Sequence, residues 1–249
     1  MIPLKDDAPR VGTPYVTYTL IAACTLIFLF ELMISQTGPG QLDAFISQFG
    51  MVPARVSIVL FDQGNVPWSI ARQLHTRYVT PAAAFLPIVT AMFLHGSWPH
   101  LIFNMLYLWI FGDNVEDAIG HFPYLILYLI SGVAATALHT FFNAASLVPV
   151  VGASGAIAGV MGAYFLLYPR AKVLTLVFPL VFVFFVWLPA WVMLGIWFVW
   201  EFLSGAATSV AGRMGGSSGI AFWAHVGGFL AGMGLIKLFP SRVRRYYYG

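Results

Sequence analysis

The chain has 249 residues, 60% of them hydrophobic and 8% charged, with a formal net charge of +3 and a mean hydropathy of +0.85. A water-soluble domain carries about 25% charged residues, so this composition excludes a soluble globule: too few polar side chains exist to cover it. The basic residues are too few and too scattered for a nucleic-acid footprint and read instead as markers of membrane topology.

Residues 1–17, MIPLKDDAPRVGTPYVT, are predicted as a short cytosolic N-terminus. Apolar runs then follow at about 18–35, 98–112, 122–142, 153–168, 189–203 and 220–239. Runs near 20 residues fit helices that cross a bilayer. The first run lacks a cleavage site and reads as a retained span, not a signal peptide. It holds the single cysteine, Cys24, so no intrachain disulfide forms. Residues 37–94 mix Gly, Pro, Asp, Arg and Gln with short apolar pieces, predicting a long first loop whose helices lie on the membrane surface.

The stretch VLTLVFPLVFVFFVW (173–187) is rich in Val and Phe and interrupted by Pro179, so composition allows an extended or a helical form. Charge parity favours treating it as a membrane-embedded loop leading into the fifth span. With six spans and a cytosolic N-terminus, the inner side collects Lys5, Arg10, Arg170, Lys172, Lys237, Arg242, Arg244 and Arg245. The outer side receives only Arg55, Arg72, Arg77 and Arg213. A seventh span would reverse that excess of positive charge on the inside. The expected architecture is an all-α polytopic membrane protein, a six-helix domain over 18–239 with a basic cytosolic tail at 240–249.

The fourth run is short. From Ser154 to Tyr168 a helix rises roughly 22 Å at about 1.5 Å per residue, against a hydrocarbon core roughly 30 Å thick. If Arg170 and Lys172 hold its inner end at the interface, Ser154 lies within the membrane. Irregular backbone at that depth, here 147–153, is tolerated only when buried by protein or lining a wet cavity. A recessed aqueous pocket follows.

Polar residues at such depth are costly and default to functional candidates. Four stand out: His100, Asn104, Ser154 and His225. His225, Gly228 and Gly232 share one helix face at i, i+3 and i+7. Their GxxxG strip matches the small strip Gly155, Ala158, Gly159 and Gly162 of the fourth run. Packing the two strips brings His225 to Ser154, where an imidazole can take the hydroxyl proton. Taken singly, Ser154 reads as a helix N-cap and His225 as a structural histidine; the pairing favours chemistry. His100 and Asn104, at i and i+4, project from one face. With the free backbone N–H of Ser154 they offer three donors for a developing oxyanion, each worth about 3–4 kcal/mol in a dry site. His95 reads as an organiser of the first loop. Zinc on His95, His100 and His225 is disfavoured, since no HExxH occurs and no carboxylate falls in register. Asp113, Glu116 and Asp117 fall in the inner turn between the second and third spans. Glu201, toward the outer end of the fifth span, is read as structural or water-facing, which leaves a dyad, not a triad.

At this point the chain resembles the rhomboid family of intramembrane serine proteases, on HGSWPHLIFN (95–104), GASG (152–155) and AHVGGFLAG (224–232). The resemblance implies Ser154 as nucleophile, His225 as general base, and an oxyanion hole of His100, Asn104 and the Ser154 amide, with Gly152, Ala153 and Gly228 in support. It implies no cofactor, and substrates that are single-span membrane proteins cut within or beside their transmembrane segment. Partners are thus transmembrane protein substrates and membrane lipid, with no nucleic acid; the packing strips leave the oligomeric state open. It further implies substrate entry between the second and fifth spans, beneath the loop before the sixth. The Trp-Arg pair that many relatives carry before the TxxFLH-like stretch is missing from AFLPIVTAMFLH (84–95), where Leu86 and Pro87 stand. The absence of organelle targeting suggests a prokaryotic plasma membrane. Two other readings stay open: a non-catalytic binder of membrane helices, and a small channel or transporter, against which the lack of paired intramembrane charges argues.

Overall fold

The computed structural model describes residues 1–74, 76–178, 183–213 and 221–241. The tail arginines Arg242, Arg244 and Arg245, Pro179 and residues 214–220 lie outside the described residues. Strand β1 (Ile2–Asp6) opens the chain and α1 (Tyr15–Ser35) follows. Four short helices come next: α2 (Gln41–Phe49), α3 (Pro53–Phe61), α4 (Trp68–Leu74) and α5 (Pro81–Thr90), the last running into a 3₁₀ turn at Ala91–Phe93. Then come α6 (Trp98–Ile119), α7 (His121–Phe142), α8 (Ser154–Leu167), strands β2 (Lys172–Val177) and β3 (Phe184–Pro189), α9 (Ala190–Arg213) and α10 (Phe222–Leu235).

Each apolar run forms a helix, and the local chemistry explains the ends. The Thr80 side chain accepts from Ala83 N–H at the start of α5, ahead of Pro81. The Ser97 hydroxyl accepts from His100 N–H at 3.3 Å, starting α6. Gly120, at φ +88°, separates α6 from α7. Helices α1 and α7 and the Ala190–Ser209 part of α9 are long and apolar enough to cross a membrane. So are α5 with its turn and α6 taken as one pair, bent by 77°. Helices α8 and α10 are shorter and apolar. Large apolar side chains face outward, among them Phe30, Trp109, Phe141 and Trp200. This is a mostly helical membrane fold.

Helix α8 is the hub. Every residue from Gly155 to Tyr164 is buried, under α10, α7 and α6. A helix enclosed by protein needs no full bilayer length, because its ends meet protein and not lipid.

The all-α expectation needs correction on one side of the molecule. The stretch expected as an embedded loop is an antiparallel strand pair, with Thr175 opposite Val186 and Lys172 opposite Pro189. The N-terminus adds a third strand, Pro3 opposite Thr175 and Asp6 opposite Val173. Alternating β-branched and aromatic residues fit a pleated surface once a partner strand is present. This sheet lies by the C-terminal end of α8: the Tyr164 hydroxyl donates to Asp6, and burial pushes the Asp6 carboxyl above its usual range.

The acids at the end of α6 fasten the same N-terminal segment. Buried Glu116 accepts from Val16 N–H and Thr17 N–H, each at 2.8 Å, and from the Thr17 hydroxyl at 2.7 Å. It thereby caps α1, whose own N-cap residue is Pro14 and offers no side-chain bond. Asp117 accepts from Val11 and Gly12 N–H, and Asp113 pairs with Arg10 at 2.8 Å. Where the Trp-Arg pair is missing, Leu86 is exposed and Pro87 buried within α5. Elsewhere in the 37–94 segment, Arg77 lies over the Trp68 ring at 4.4 Å.

Candidate active site

The irregular segment that ends at Ala153 aims the first residue of α8. Gly152 adopts φ +128°, and a Cβ there would lie 2.6 Å from His100 Nε2. Both the conformation and the space require glycine. Its N–H donates to Ala91 carbonyl at 2.9 Å, tying the segment to the turn after α5. Ala153, fully buried, occupies the N-cap position. Ser154 is therefore a helical residue and not the cap. Its hydroxyl lies 2.8 Å from His225 Nε2.

That contact depends on the glycine strips. A Cβ on Gly228 would overlap the Gly155 carbonyl oxygen, and one on Gly232 the Gly159 carbonyl oxygen. A Cβ on Gly162 would overlap the Phe229 carbonyl oxygen. Helices α8 and α10 thus meet backbone to backbone, as small-residue strips permit. His225, one turn before Gly228, reaches the start of α8 across a seam with no side chains in the way.

His100 and Asn104 approach from α6. The His100 ring packs on Gly152, and Asn104 Nδ2 lies 3.6 Å from the position a Gly152 Cβ would take. Asn104 is buried, and its Nδ2 has no hydrogen-bond partner among the described residues. Asn104 also lines a cavity, so this donor is available to an acceptor that enters it. The backbone N–H of Ser154 is in the first turn of α8, where no intrahelical partner exists. A cavity of about 730 Å³ opens onto these groups, lined by Ser154, His225, His100, Asn104, Gly132 and His139. His95 organises its neighbourhood: it is buried, its N–H donates to Glu31 at 3.1 Å, and its ring meets the His100 ring edge-on at 5.2 Å.

Glu201 departs from the sequence reading. Its carboxylate oxygen lies 2.7 Å from His225 Nδ1, and the residue is 8% exposed. The apolar run ends at 203, which on sequence alone puts Glu201 toward the outer end of the fifth span. The helix continues to Arg213, so Glu201 sits near its middle. Helices α9 and α10 are joined close by: Trp223 Nε1 donates to the Ser209 hydroxyl at 2.8 Å, and Gly205 lies under the Trp223 ring. The available signal was the rule that an acid inside a span is a functional candidate.

Residues 82–242 match the family model described as Rhomboid domain. Among curated proteins, the chain is 30% identical over 189 residues to Rhomboid protein 1, mitochondrial, of Saccharomyces cerevisiae, covering 72% of this chain and 49% of that protein. It is 30% identical over 187 residues to Rhomboid-like protease 5 of Toxoplasma gondii, covering 72% of this chain and 19% of that protein. Over 76 residues it is 38% identical to Rhomboid protease GluP of Bacillus subtilis, covering 30% of this chain and 14% of that protein. The chain thus spans about half or less of the length of these relatives. The mitochondrial relative matches over 72% of this chain and the bacterial one over 30%, so the relatives do not support the prokaryotic plasma membrane expected from the sequence. Family match and apolar helices together make this an integral membrane protein, and the chain belongs to the rhomboid family.

Proposed function

We propose that the chain is an intramembrane serine endopeptidase that cuts transmembrane segments of other membrane proteins. The observation that carries this reading is the 2.8 Å contact between Ser154 Oγ and His225 Nε2, facing a cavity that also holds an unpartnered amide donor on Asn104. His225 accepts the Ser154 proton as the oxygen attacks a peptide carbonyl. The developing oxyanion takes hydrogen bonds from Asn104, His100 and the Ser154 N–H, donors already in place before reaction. His225 then returns the proton to the leaving amine, and water hydrolyses the acyl-serine by the same route. Two of the relatives carry the word protease in their names, which supports the reaction class.

In this reading the chain crosses the membrane six times, through α1, α6, α7, α8, α9 and α10. The domain over 18–239 lies between a cytosolic stretch at 1–17 and a cytosolic tail at 240–249, in a prokaryotic plasma membrane. The excess of Lys and Arg on one side supports the orientation. The cavity then opens outward, below the membrane surface, since it lies at the α8 end opposite the sheet. A helical substrate hides its peptide bonds in internal hydrogen bonds, so segments containing Gly or other weak helix formers unwind into the site at lower cost. A fluorescently labelled transmembrane peptide in detergent tests the proposal. Wild-type protein should cleave it and Ser154→Ala protein should not; equal cleavage by both would remove the proteolytic reading.

A further inference from the structure

We infer that Glu201 completes a serine–histidine–glutamate relay with Ser154 and His225, acting as the residue that positions His225 during catalysis. The inference rests on the proteolytic reading above and extends it from two residues to three. An ionised carboxylate only accepts hydrogen bonds. The 2.7 Å contact between Glu201 Oε2 and His225 Nδ1 therefore places the imidazole proton on Nδ1. Nε2 is left with its lone pair facing the Ser154 hydroxyl, 2.8 Å away. The other tautomer would present an N–H to that hydroxyl and could not take its proton.

The surroundings agree with this role. The Trp197 ring lies 6.0 Å from the His225 ring, on the helix that carries Glu201, and the Glu201 side chain is 10% exposed. A carboxylate that dry holds its partner in one orientation, because water does not compete for it. In the acylation step the Ser154 O–H bond breaks, an Oγ–carbonyl carbon bond forms, and the proton passes to Nε2. The resulting imidazolium lies against the Glu201 negative charge, which keeps its electrons and takes no proton. His225 then gives the proton to the amine that departs.

The test compares Glu201→Gln and Glu201→Ala with wild type and Ser154→Ala on the labelled transmembrane peptide. Folded protein is quantified by size-exclusion chromatography and circular dichroism, so loss of folded protein does not enter the rates. Cleavage by wild type with none by Ser154→Ala establishes the parent reading; only then do the Glu201 variants speak to the relay. We expect kcat to fall at least about tenfold in both Glu201→Gln and Glu201→Ala, with KM within about threefold of wild type. Comparable carboxylates in soluble serine proteases contribute up to ~10⁴-fold. Gln does not restore the rate, because its amide N–H can donate to Nδ1 and hold the tautomer that presents an N–H to Ser154. Unchanged kcat in both variants would overturn the inference. The ¹⁵N chemical shifts of His225 give a reading independent of activity. Wild type should carry its proton on Nδ1 and Glu201→Ala should show mixed tautomers; a wild-type His225 protonated on Nε2 alone would also overturn it.

Discussion

Asn104 is the residue at which the site is most open to measurement. Its Nδ2 makes no hydrogen bond within the described protein, so in the proposed mechanism Asn104→Ala removes a donor to the oxyanion without breaking a described side-chain contact of that atom. The expected cost is about 10²–10³-fold in kcat, or about 2.7–4 kcal/mol of transition-state stabilisation, with KM little changed. Steady-state cleavage of the labelled peptide checks it, and a loss confined to KM would assign Asn104 to ground-state binding instead. At this scale the sequence was informative because a polar side chain in an apolar run has few benign explanations. Ser154, His225, His100 and Asn104 all stood out that way, and the structure brings them around one cavity. Glu201 met the same criterion, but the small residues of SGAATS (204–209) hid the true length of its helix. Which face of α9 meets His225 also depends on how that helix is rotated, and one-dimensional pattern does not record rotation.

The seam between α8 and α10 is the element on which the site geometry depends. The positions differ sharply along one helix: a Cβ at Gly228 would overlap the backbone of Gly155, while Gly234 has nothing within 4 Å. Gly228→Val should therefore force the helices apart, lower thermal stability by about 1–3 kcal/mol and separate His225 from Ser154. Gly234→Ala should leave stability unchanged or slightly raised, since Ala is the better helix former. Thermal unfolding in detergent, with activity measured alongside, distinguishes them; equal tolerance at both positions would contradict the seam. The pairing of these strips was legible because Gly228 and Gly232, three and seven residues after His225, have a complement in Gly155, Gly159 and Gly162 on the other helix. The β-sheet was not legible. Strand β1 pairs with residues about 170 positions away, and the strand character of 172–177 depends on that distant partner more than on its own composition.

At the scale of the whole molecule, the fold keeps two tasks at opposite ends of α8. The C-terminal end is fastened by the sheet and by the Glu116 cluster, which bind the N-terminal segment to α6. The N-terminal end is left open to the cavity. Composition and the six apolar runs announced a membrane protein, and each run became a helix. They did not announce that α8 and α10 would be short and protein-enclosed while α5 and α6 form a bent pair, because length within a bilayer depends on which neighbours cover each helix. The proposed proteolysis requires a reactive hydroxyl at the start of α8, activated by the α10 imidazole 2.8 Å away. Covalent labelling with a fluorophosphonate, located by mass spectrometry, measures that directly. The account predicts a single adduct on Ser154 in the wild type, and none in folded His225→Ala protein; labelling of Ser154 that is unaffected by the loss of His225, or an adduct on another residue, would contradict it.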